Sequence, residues 1–537
     1  MSKLKVLHQC GHNTVWNLKS YDDENIGDGL IFSPSDLEKE KLEKLNIEIK
    51  QKSLFDPQFY LPQSDKKKFE TYDFFPNTIM EDEYSTEDYE ELAFEDAYKC
   101  VEFQKNNEFS SIVIPCVYKD NFTEQYLEVQ KDLYVMPFLN AVEKLGINSN
   151  IFLTIILKDN YLYDENIKKD LLSFATSFQS IDGIYIIPEH SETYKRIRDE
   201  RYLFELMKFI DKLRENELLV HLGYTDIEGF ILSLSGLTSI SIGTYENTRC
   251  FNIEKFRKSD GQKQGPNPRI FSSKLLQNVE YTYLASLETL YNKYNELFED
   301  DEYKIKMFNP TYSWHFSKPE IYKYYLCHYT ELLKALPENY NEKYNFVLEK
   351  INESMIYYKE IEESGVLLDE KSNGNHLIHW RNAITMFNKY KLNKYWRYIM
   401  FVTEEKMVNT CVNELLYEYK EEEILLEPVG LFGIPDIMIN NKEVISIEAK
   451  LKNWKRALVQ AYKYRTFSGK SYVYMDIDNI NAPLENIDEF KKFNVGLAGV
   501  SETGITVYYE PKEERPFSEV LYKKALESFK NCKIHKE

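Results

Sequence analysis

From the N-terminus to Phe251, short apolar runs alternate with amphipathic stretches, and this alternation constrains the fold more than any other feature. Eight runs have the length and composition of strands, at residues 5–9, 29–33, 47–55, 111–118, 151–157, 183–188, 218–223 and 239–245. Helical spacing separates most of them, most clearly over residues 87–107, 165–178 and 194–216. Strands that alternate with helices form parallel βαβ units, and eight units suit a (β/α)8 barrel of about 250 residues. We therefore predict a (β/α)8-like barrel over residues 1–258. The alternative is an open doubly wound sheet, because the first two connections are too short or irregular for regular helices.

Polar residues follow several of these predicted strands. In a barrel of this kind the chemistry lies at the carboxyl ends of the strands. The residues that fall there are His8, His12, Asp56, Lys158, Glu189, His190, His221, Glu246, Asn247 and Arg249. Of these, Asp56, Glu189 and Glu246 are candidate general acids or bases. Neither phosphate-binding glycine pattern, GxxxxGK[ST] or GxGxxG, occurs in the sequence, so the ligand of the barrel stays open.

The pattern changes after the predicted barrel. Residues 259–269, SDGQKQGPNPR, are dense in glycine, proline and polar side chains, which is typical of a linker. From residue 270 to residue 402, long helical stretches rich in tyrosine and leucine replace the strands. We predict a helical connecting domain there, followed by a third domain over residues 403–537.

Residues 433–464, GIPDIMINNKEVISIEAKLKNWKRALVQAYKY, contain two short apolar strands around a turn at residues 440–442. Alternate residues of a strand share a face, so Glu448 and Lys450 lie together on one face of the second strand. If the two strands form a hairpin, Asp436 lies beside Glu448. Two carboxylates and a lysine at a strand end are suited to hold a hard divalent cation and position a water molecule.

This stretch resembles the PD-(D/E)xK nuclease superfamily. The matching residues are Pro435-Asp436, then Glu448-Ala449-Lys450, and on the next helix QAYKY from Gln460 to Tyr464, similar to the QxxxY signature of the RecB-like branch. An acidic residue on the preceding helix is usual in that family, and Glu414 is our candidate. The resemblance implies a restriction-endonuclease-like α/β core in residues 403–537. Periodicity alone predicts the same order of elements: a helix, three strands, a helix, a strand, a helix, a strand pair and a terminal helix.

The resemblance also implies an activity, that of a Mg²⁺-dependent deoxyribonuclease. Mg²⁺ or Mn²⁺ would be held by Asp436, Glu448 and the main-chain carbonyl of Ala449, with Glu414 completing the set. Lys450 would bond the attacking water or the phosphate, a role that suits the point charge of a lysine. Gln460 and Tyr464, four positions apart on a helix, would orient Lys450 or the DNA backbone.

The charge distribution favours local contact with nucleic acid over contact with the whole surface. The formal net charge of −21 argues against nonspecific coating of nucleic acid. Between residues 446 and 470, however, seven basic residues stand against one acidic residue. Next to a metal site, such a basic segment is suited to contact the phosphates of a nucleic-acid backbone. The predicted DNA-contacting residues are Lys452, Lys455, Arg456 and Lys463.

Other functions fit parts of the same sequence. The hairpin can be a surface element whose charges keep an edge strand soluble, or a nuclease fold retained for binding without turnover. The barrel can instead be an enzyme acting on a nucleotide or nucleobase, with the C-terminal domain gripping nucleic acid. It can also sense a phage or cellular ligand that licenses a nuclease in bacterial anti-phage defence, an idea that rests on analogy between architectures.

Cysteine usage and hydropathy predict where the protein works. The seven cysteines are scattered from Cys10 to Cys532 without a CxxC pair, which is typical of reduced thiols rather than disulfides or a zinc site. No run is apolar enough for a membrane span or signal peptide, so we predict a cytoplasmic protein without a membrane partner. The oligomeric state stays open, since many nucleases of this fold pair to cut both strands.

Overall fold

The computed structural model describes residues 3–62, 64, 66–76, 86–190, 196–257, 265–397, 403–431, 433–501 and 504–531. The chain separates into two compact units. The first unit is Met1–Arg214 with Leu218–Asn388, and the second is Lys389–Glu537 with Glu215–Glu217. The predicted helical region therefore belongs, up to Asn388, to the same unit as the barrel. Most of the predicted linker, and the predicted boundary at residue 402, lie outside the described residues.

The first unit is built on eight strands. They are β1 (Lys5–Gln9), β2 (Gly29–Phe32), β3 (Leu54–Phe55), β4 (Ser111–Ile114), β5 (Asn150–Lys158), β6 (Gly183–Glu189), β7 (Leu219–Thr225) and β8 (Ser239–Gly243). Their order is β3-β2-β1-β8-β7-β6-β5-β4, and each of these pairings is parallel. Between the two end strands, the main-chain N–H of Ser110 donates to the carbonyl of Ser53 at 3.0 Å. The strands form a nearly closed barrel, which confirms the predicted barrel against the open sheet.

Helices fill the connections between the strands. They are α1 (Thr14–Asp22), α2 (Lys39–Glu43), α3 (Ile47–Gln51), α4 (Thr86–Asn106), α5 (Glu124–Gln130), α6 (Met136–Leu145), α7 (Asp159–Tyr163), α8 (Glu165–Thr176), α9 (Glu200–Glu215), α10 (Gly229–Leu232) and α11 (Glu246–Arg249). A π-helical segment, Lys131–Val135, joins α5 to α6. The long helices predicted over residues 87–107, 165–178 and 194–216 correspond to α4, α8 and α9.

The predicted strand over residues 47–55 is wrong for most of its length. Residues Ile47–Gln51 form α3, and only Leu54–Phe55 pairs with β2. The side chain of Asn46 accepts a hydrogen bond from the main-chain N–H of Glu48, which caps the helix. The cap therefore outweighs the alternating apolar and polar side chains that predicted a strand.

Polar side chains occupy part of the barrel. Tyr185 lies on β6 and donates its hydroxyl to Oε1 of Gln9 on β1 at 3.4 Å, and Ser241 on β8 donates to the same oxygen at 3.4 Å. A Cβ atom on Gly223 of β7 would lie 2.3 Å from the ring of Tyr185, so only glycine leaves room for that ring. The neighbouring strands are thus fitted to one large polar side chain.

A small hairpin and five helices follow the barrel. They are β9 (Arg269–Ser272), β10 (Gln277–Glu280), α12 (Leu284–Leu290), α13 (Glu302–Met307), α14 (Pro319–Lys334), α15 (Tyr340–Glu363) and α16 (His376–Arg397). The helical character was predicted, whereas the antiparallel pair β9–β10 was not. Helix α14 packs on the segment after β7, where Tyr329 donates its hydroxyl to the carbonyl of Asp226 at 3.0 Å.

The second unit is a six-stranded mixed sheet with helices. Its elements are α17 (Glu404–Leu415), β11 (Ile424–Leu426), β12 (Ile437–Asn441), β13 (Glu443–Lys450), α18 (Trp454–Tyr464), β14 (Lys470–Asp476), α19 (Asn481–Glu485), α20 (Ile487–Phe493), β15 (Gly496–Ser501), β16 (Gly504–Tyr509) and α21 (Glu519–Asn531). The strand order is β11 to β16 in sequence. The pairs β13–β14 and β14–β15 are parallel and the other three are antiparallel. This is the element order that periodicity predicts, except that the short helix α19 was not predicted.

Two apolar layers hold the second unit together, one on each face of its sheet. Cys411 of α17 belongs to a buried cluster with Ile447 of β13. On the opposite face, Ala461 of α18 and Phe529 of α21 belong to a cluster with Val444 of β13. Alternate residues of β13 therefore face α17 and α18, and its last residues lie between these two helices.

Two further expectations concern thiols and membranes. The six cysteines among the described residues are all free. Within the described part of the chain, no helix combines the length and the apolar character needed to cross a membrane.

Candidate functional site

The hairpin of β12 and β13 places Asp436 beside Glu448. The two strands are antiparallel with Ile437 opposite Ile447, so the residue before β12 lies next to Glu448. The main-chain N–H of Ala449 donates to Oδ2 of Asp436 at 2.6 Å. This bond fixes the Asp436 carboxylate at the end of the hairpin.

Lys450 joins these carboxylates at the end of β13. Its Nζ lies 3.3 Å from Oε1 of Glu448 and donates to Oε2 of Glu404 at 2.8 Å. Glu448 is only 1% exposed, whereas Lys450 is partly accessible. The three residues of the predicted Asp-Glu-Lys set are therefore neighbours, with the lysine at the solvent side.

The acidic residue that α17 brings to this group is Glu404. Glu404 is the first residue of α17, where the Thr403 side chain caps the helix by accepting from the N–H of Lys406. Glu414 lies ten residues further along, about 15 Å at the helical rise. A Cβ atom on Gly504 would be 3.4 Å from the Glu414 carboxylate. The structure thus places the predicted residue Glu414 near the β15–β16 hairpin and does not bring it to Asp436.

Helix α18 contacts the site through its last residue. The hydroxyl of Tyr464 is 2.6 Å from Oε2 of Glu448 and 2.9 Å from the carbonyl oxygen of Ile434. Gln460 lies one turn earlier on the same face, and its Oε1 atom is buried without a hydrogen-bond partner among the described residues. Of the predicted QxxxY pair, Tyr464 therefore contacts Glu448 directly, and Gln460 lies one turn from Tyr464.

Burial makes the two carboxylates hard to ionise. Burial, and next the charge of Asp436, raises the pKa of Glu448 to about 7. Burial also raises the pKa of Asp436, against the opposing effect of the Ala449 N–H and of Lys450. Burial alone would lower the pKa of Lys450, but its bond to Glu404 and the neighbouring carboxylates outweigh this and raise it. A cation that binds between two such carboxylates stabilises their charged forms and therefore lowers the pKa of both groups.

The predicted DNA-contacting residues lie on or just before α18, and they are Lys452, Lys455, Arg456 and Lys463. Arg456 and Lys463 are exposed, and their seven-residue spacing places them on one side of the helix. Burial lowers the pKa of Lys455 to about 7, so its charge is partial at neutral pH. Arg465 is paired with Glu514 and Lys470 with Glu510, which reduces the basic excess of this segment.

A second site lies in the first unit, as a cavity of about 670 Å³ at the carboxyl ends of β6, β7 and β8. Three of the predicted strand-end residues line it, namely His190, Glu246 and Arg249. Chemistry in barrels of this type belongs at this end of the strands. The cavity is therefore the candidate binding site of the barrel.

The other predicted strand-end residues have different surroundings. Asp56 is fully buried, and burial raises its pKa to about 7 while Tyr60 donates its hydroxyl to the carboxylate at 2.8 Å. Burial lowers the pKa of His221 to about 3 and that of His8 to about 4. Lys158 lies 3.5 Å from Glu189, so these two form an ion pair. His12 and Asn247 are exposed.

Sequence reasoning missed the charged centre of the cavity. Asp226 and Glu228 follow β7 directly, so the strand-end argument could have found them. Burial, and next the charge of Asp226, raises the pKa of Glu228 to about 7. Arg196 and Tyr325 come from distant segments and carry no local signal. All four residues are buried and line the cavity.

Among the described residues, one group of three potential metal ligands lies close together, formed by Cys327, His328 and Glu331 of α14. The ring nitrogens of His328 lie 2.8 Å from Glu331 and 2.9 Å from Asp301. Burial opposes the charge on His328, but these carboxylates outweigh it and raise its pKa. Both ring nitrogens of His328 already face carboxylate partners, which favours the protonated ring and leaves neither nitrogen for a metal.

Comparison of the chain with models of known protein families and with curated proteins found no match.

Proposed function

We propose that the second unit is a metal-dependent nuclease that hydrolyses phosphodiester bonds in DNA. The observation that carries this proposal is the meeting of Asp436, Glu448 and Lys450 at the end of one hairpin. Asp436 accepts from the main-chain N–H of Ala449 at 2.6 Å, and Nζ of Lys450 lies 3.3 Å from Glu448. Two carboxylates can hold a divalent cation that activates a water and neutralises charge on a phosphodiester, and a lysine can contact that water or the phosphate. The resemblance to the PD-(D/E)xK superfamily supports the same function.

The residues present fit Mg²⁺ or Mn²⁺. Hard cations take oxygen ligands, and here Asp436, Glu448 and the carbonyl of Ala449 supply them. The pKa values of both carboxyl groups stay raised although Lys450 is nearby, and Oε1 of Gln460 has no hydrogen-bond partner among the described residues, so the site has room for further positive charge. When bound, such an ion lowers the pKa of a coordinated water and neutralises charge on the phosphate.

The chain's own residues position these groups. Lys450 donates a hydrogen bond to the attacking water or to a phosphate oxygen, and Glu404 holds its side chain at 2.8 Å. Tyr464 acts through Glu448 and is a positioning residue. The exposed Arg456 and Lys463 bind phosphates of the DNA backbone. Since both lie on α18, the helix that carries Tyr464 would also fix the DNA relative to the carboxylates.

The test is cleavage of plasmid and linear DNA by the full chain in Mg²⁺, Mn²⁺ or EDTA. We expect metal-dependent cutting that falls at least a hundredfold in Asp436→Ala and in Lys450→Ala. Asp488→Ala, which changes an exposed carboxylate of the same unit, is the matched control and should cut like the parent. Cutting that survives in both site variants, or in EDTA, would refute the proposal. If the parent cuts no DNA with any metal, calorimetric titration with Mn²⁺ is the deciding measurement. The proposal still requires that the parent binds Mn²⁺ and that Asp436→Ala loses this binding.

A nuclease and a ligand-binding barrel on one chain also suit a role in anti-phage defence, by analogy between architectures. In that role a ligand of the barrel increases cleavage, which is tested by adding phage lysate or nucleotides to the parent. The alternative, a barrel enzyme acting on a nucleotide or nucleobase, predicts the opposite pattern of variants. Its activity would be lost in Glu246→Ala and kept in Asp436→Ala.

A further inference from the structure

The cavity of the first unit has walls from several separate segments. The ends of β6, β7 and β8 supply Pro188, Tyr224 and Thr244, while Tyr322 and Tyr325 come from α14. Its volume of about 670 Å³ lies within the range of roughly 300–1,000 Å³ found for small-molecule sites. The size and position of this cavity suit a compact ligand at the functional end of the barrel.

The buried arginines of this cavity are already bonded within the protein. Arg196 donates to Oδ2 of Asp226 at 2.7 Å. Arg249 donates to the carbonyls of Gly243 at 2.7 Å and Thr244 at 2.9 Å. In the amide orientation that satisfies both arginines, the side-chain oxygen of Asn278 accepts from Arg196 at 2.7 Å and from Arg249 at 3.2 Å. These guanidinium groups therefore stabilise the walls and are poorly placed to receive a phosphate.

Three other buried side chains of this cavity each have a polar atom without a partner. Oε2 of Glu228, Oγ1 of Thr244 and the hydroxyl of Tyr202 have no hydrogen-bond partner among the described residues. Each residue lines the cavity, and each is more than nine-tenths buried. A buried polar atom without a partner is costly, so such atoms in a cavity indicate a ligand that supplies the partner. A ligand that satisfies these three atoms places a hydrogen-bond donor against the Glu228 carboxylate and polar groups against the hydroxyls of Thr244 and Tyr202.

An aromatic wall lies on the same cavity. Tyr245 and Tyr322 line it with ring centroids 4.7 Å apart, and Trp16 stacks on Tyr322 at 5.3 Å with an angle of 18° between the rings. Tyr245 is half-buried, so part of its ring is accessible. Aromatic rings of this kind stack on planar ring systems, and nucleobases in particular.

We propose that this cavity binds a nucleoside, whose base stacks on Tyr245 and donates N–H groups to Glu228. The ribose hydroxyls bond Thr244 and Tyr202. The ligand is an uncharged nucleoside and not an anion, because the arginines are engaged within the protein and the unpartnered acceptor is an oxygen of a carboxylate, Oε2 of Glu228. A simple sugar would match the hydroxyls but would leave the aromatic wall unused. The inference rests on the first unit alone and does not depend on the proposed nuclease activity.

The test is calorimetric titration of the full chain with adenosine, guanosine, cytidine and uridine, alongside ribose and glucose. We expect at least one nucleoside to bind with one-to-one stoichiometry, and neither sugar to match it. Glu228→Gln should weaken that binding at least tenfold, because the amide presents an N–H where the base also donates. Tyr245→Leu should do the same by removing the stacking ring, and it changes a half-buried side chain if Glu228→Gln fails to fold.

Two controls separate this inference from other effects. Glu254→Gln changes an exposed carboxylate of the same unit and should bind the nucleoside like the parent. Asp436→Ala should also bind normally, so a failed nuclease proposal and a failed nucleoside site are distinguishable. The inference is overturned if none of the four nucleosides binds. It is equally overturned if a sugar binds as well as they do, or if both cavity variants bind like the parent.

Discussion

The hydroxyl oxygen of Tyr464 lies 2.6 Å from Oε2 of Glu448, and this contact ties α18 to the strand that carries the candidate metal ligands. The same hydroxyl is 2.9 Å from the carbonyl of Ile434, yet it has one proton for two acceptors. When Glu448 is protonated, its own O–H can donate to Tyr464 and leave the tyrosine proton for Ile434. Burial and the charge of Asp436 raise the pKa of Glu448, whereas the hydrogen bond from Tyr464 opposes this rise. Ionisation of Glu448 therefore makes the two acceptors compete for the tyrosine proton.

Tyr464→Phe should destabilise the second unit by about 1–2 kcal/mol, because it leaves buried acceptors without their donor. It should also raise the pKa of Glu448, since the tyrosine hydrogen bond favours the carboxylate. At pH 7 the variant would then need more Mg²⁺ for half-maximal cleavage. Urea denaturation and a Mg²⁺ titration measure the two effects. Tyr462→Phe, on the exposed side of α18, should change neither.

Glu448→Gln should make the second unit less sensitive to pH in the absence of metal. The folded pKa of Glu448 is about 7, above its ordinary value of 4.5, so folding favours the protonated form. The stabilisation from this group is therefore full below pH 4.5 and is lost as the pH rises through 7. A pKa difference of one corresponds to about 1.4 kcal/mol, so the rise from 4.5 to about 7 lowers the unfolding free energy by at most about 3 kcal/mol at pH 9.

The measurement is the difference in unfolding free energy between Glu448→Gln and the parent in EDTA, taken at pH 5 and at pH 9. The difference isolates Glu448 from other groups that titrate in this range. Glutamine stays neutral, so the variant should gain stability relative to the parent as the pH rises. A difference that is the same at both pH values would show that Glu448 ionises normally in the fold.

Glu404→Gln should reduce cleavage about fivefold, whereas Glu414→Gln should leave it unchanged. Glu404 bonds Lys450 at 2.8 Å, and losing a half-exposed charged bond of this kind costs about 1 kcal/mol. Glu414 lies near Gly504 instead. Initial rates of plasmid cutting at saturating Mg²⁺ compare the two variants. The opposite ranking would mean that α17 presents its C-terminal end to the substrate.

Gly433→Ala should be more destabilising than Gly430→Ala. Both glycines have a positive φ, of 102° and 90°, which strains any other residue by about 1 kcal/mol or more. A Cβ atom on Gly433 would also lie 2.7 Å from the ring of Tyr464, whereas at Gly430 the nearest atom is 3.8 Å away. Urea midpoints of the two variants test this, and Gly433→Ala should also lose cleavage because Tyr464 is displaced. Equal midpoints would show that the Tyr464 ring can move aside.

Local patterns predicted much of the fold. The alternation of apolar runs and helical spacing predicted the barrel, and the tight turn at residues 440–442 predicted the hairpin that sets Asp436 beside Glu448. Both signals involve residues that are close in sequence, so their geometry follows from strand and helix periods. The same local reasoning failed at residues 47–51, where a helix cap at Asn46 competes with an alternating pattern.

The sequence by itself determined the alternation of strands and helices in most of the barrel and in the second unit. It also determined the grouping of Asp436, Glu448 and Lys450, because a hairpin and a single strand fix these positions within a few residues. Tertiary structure decided which acid of α17 reaches Lys450, since both Glu404 and Glu414 lie on one helix and only its packing selects between them. It also decided the centre of the barrel cavity. Tyr325 contacts Asp226 from 99 residues away, and no local period specifies a contact made by packing one distant helix on another segment.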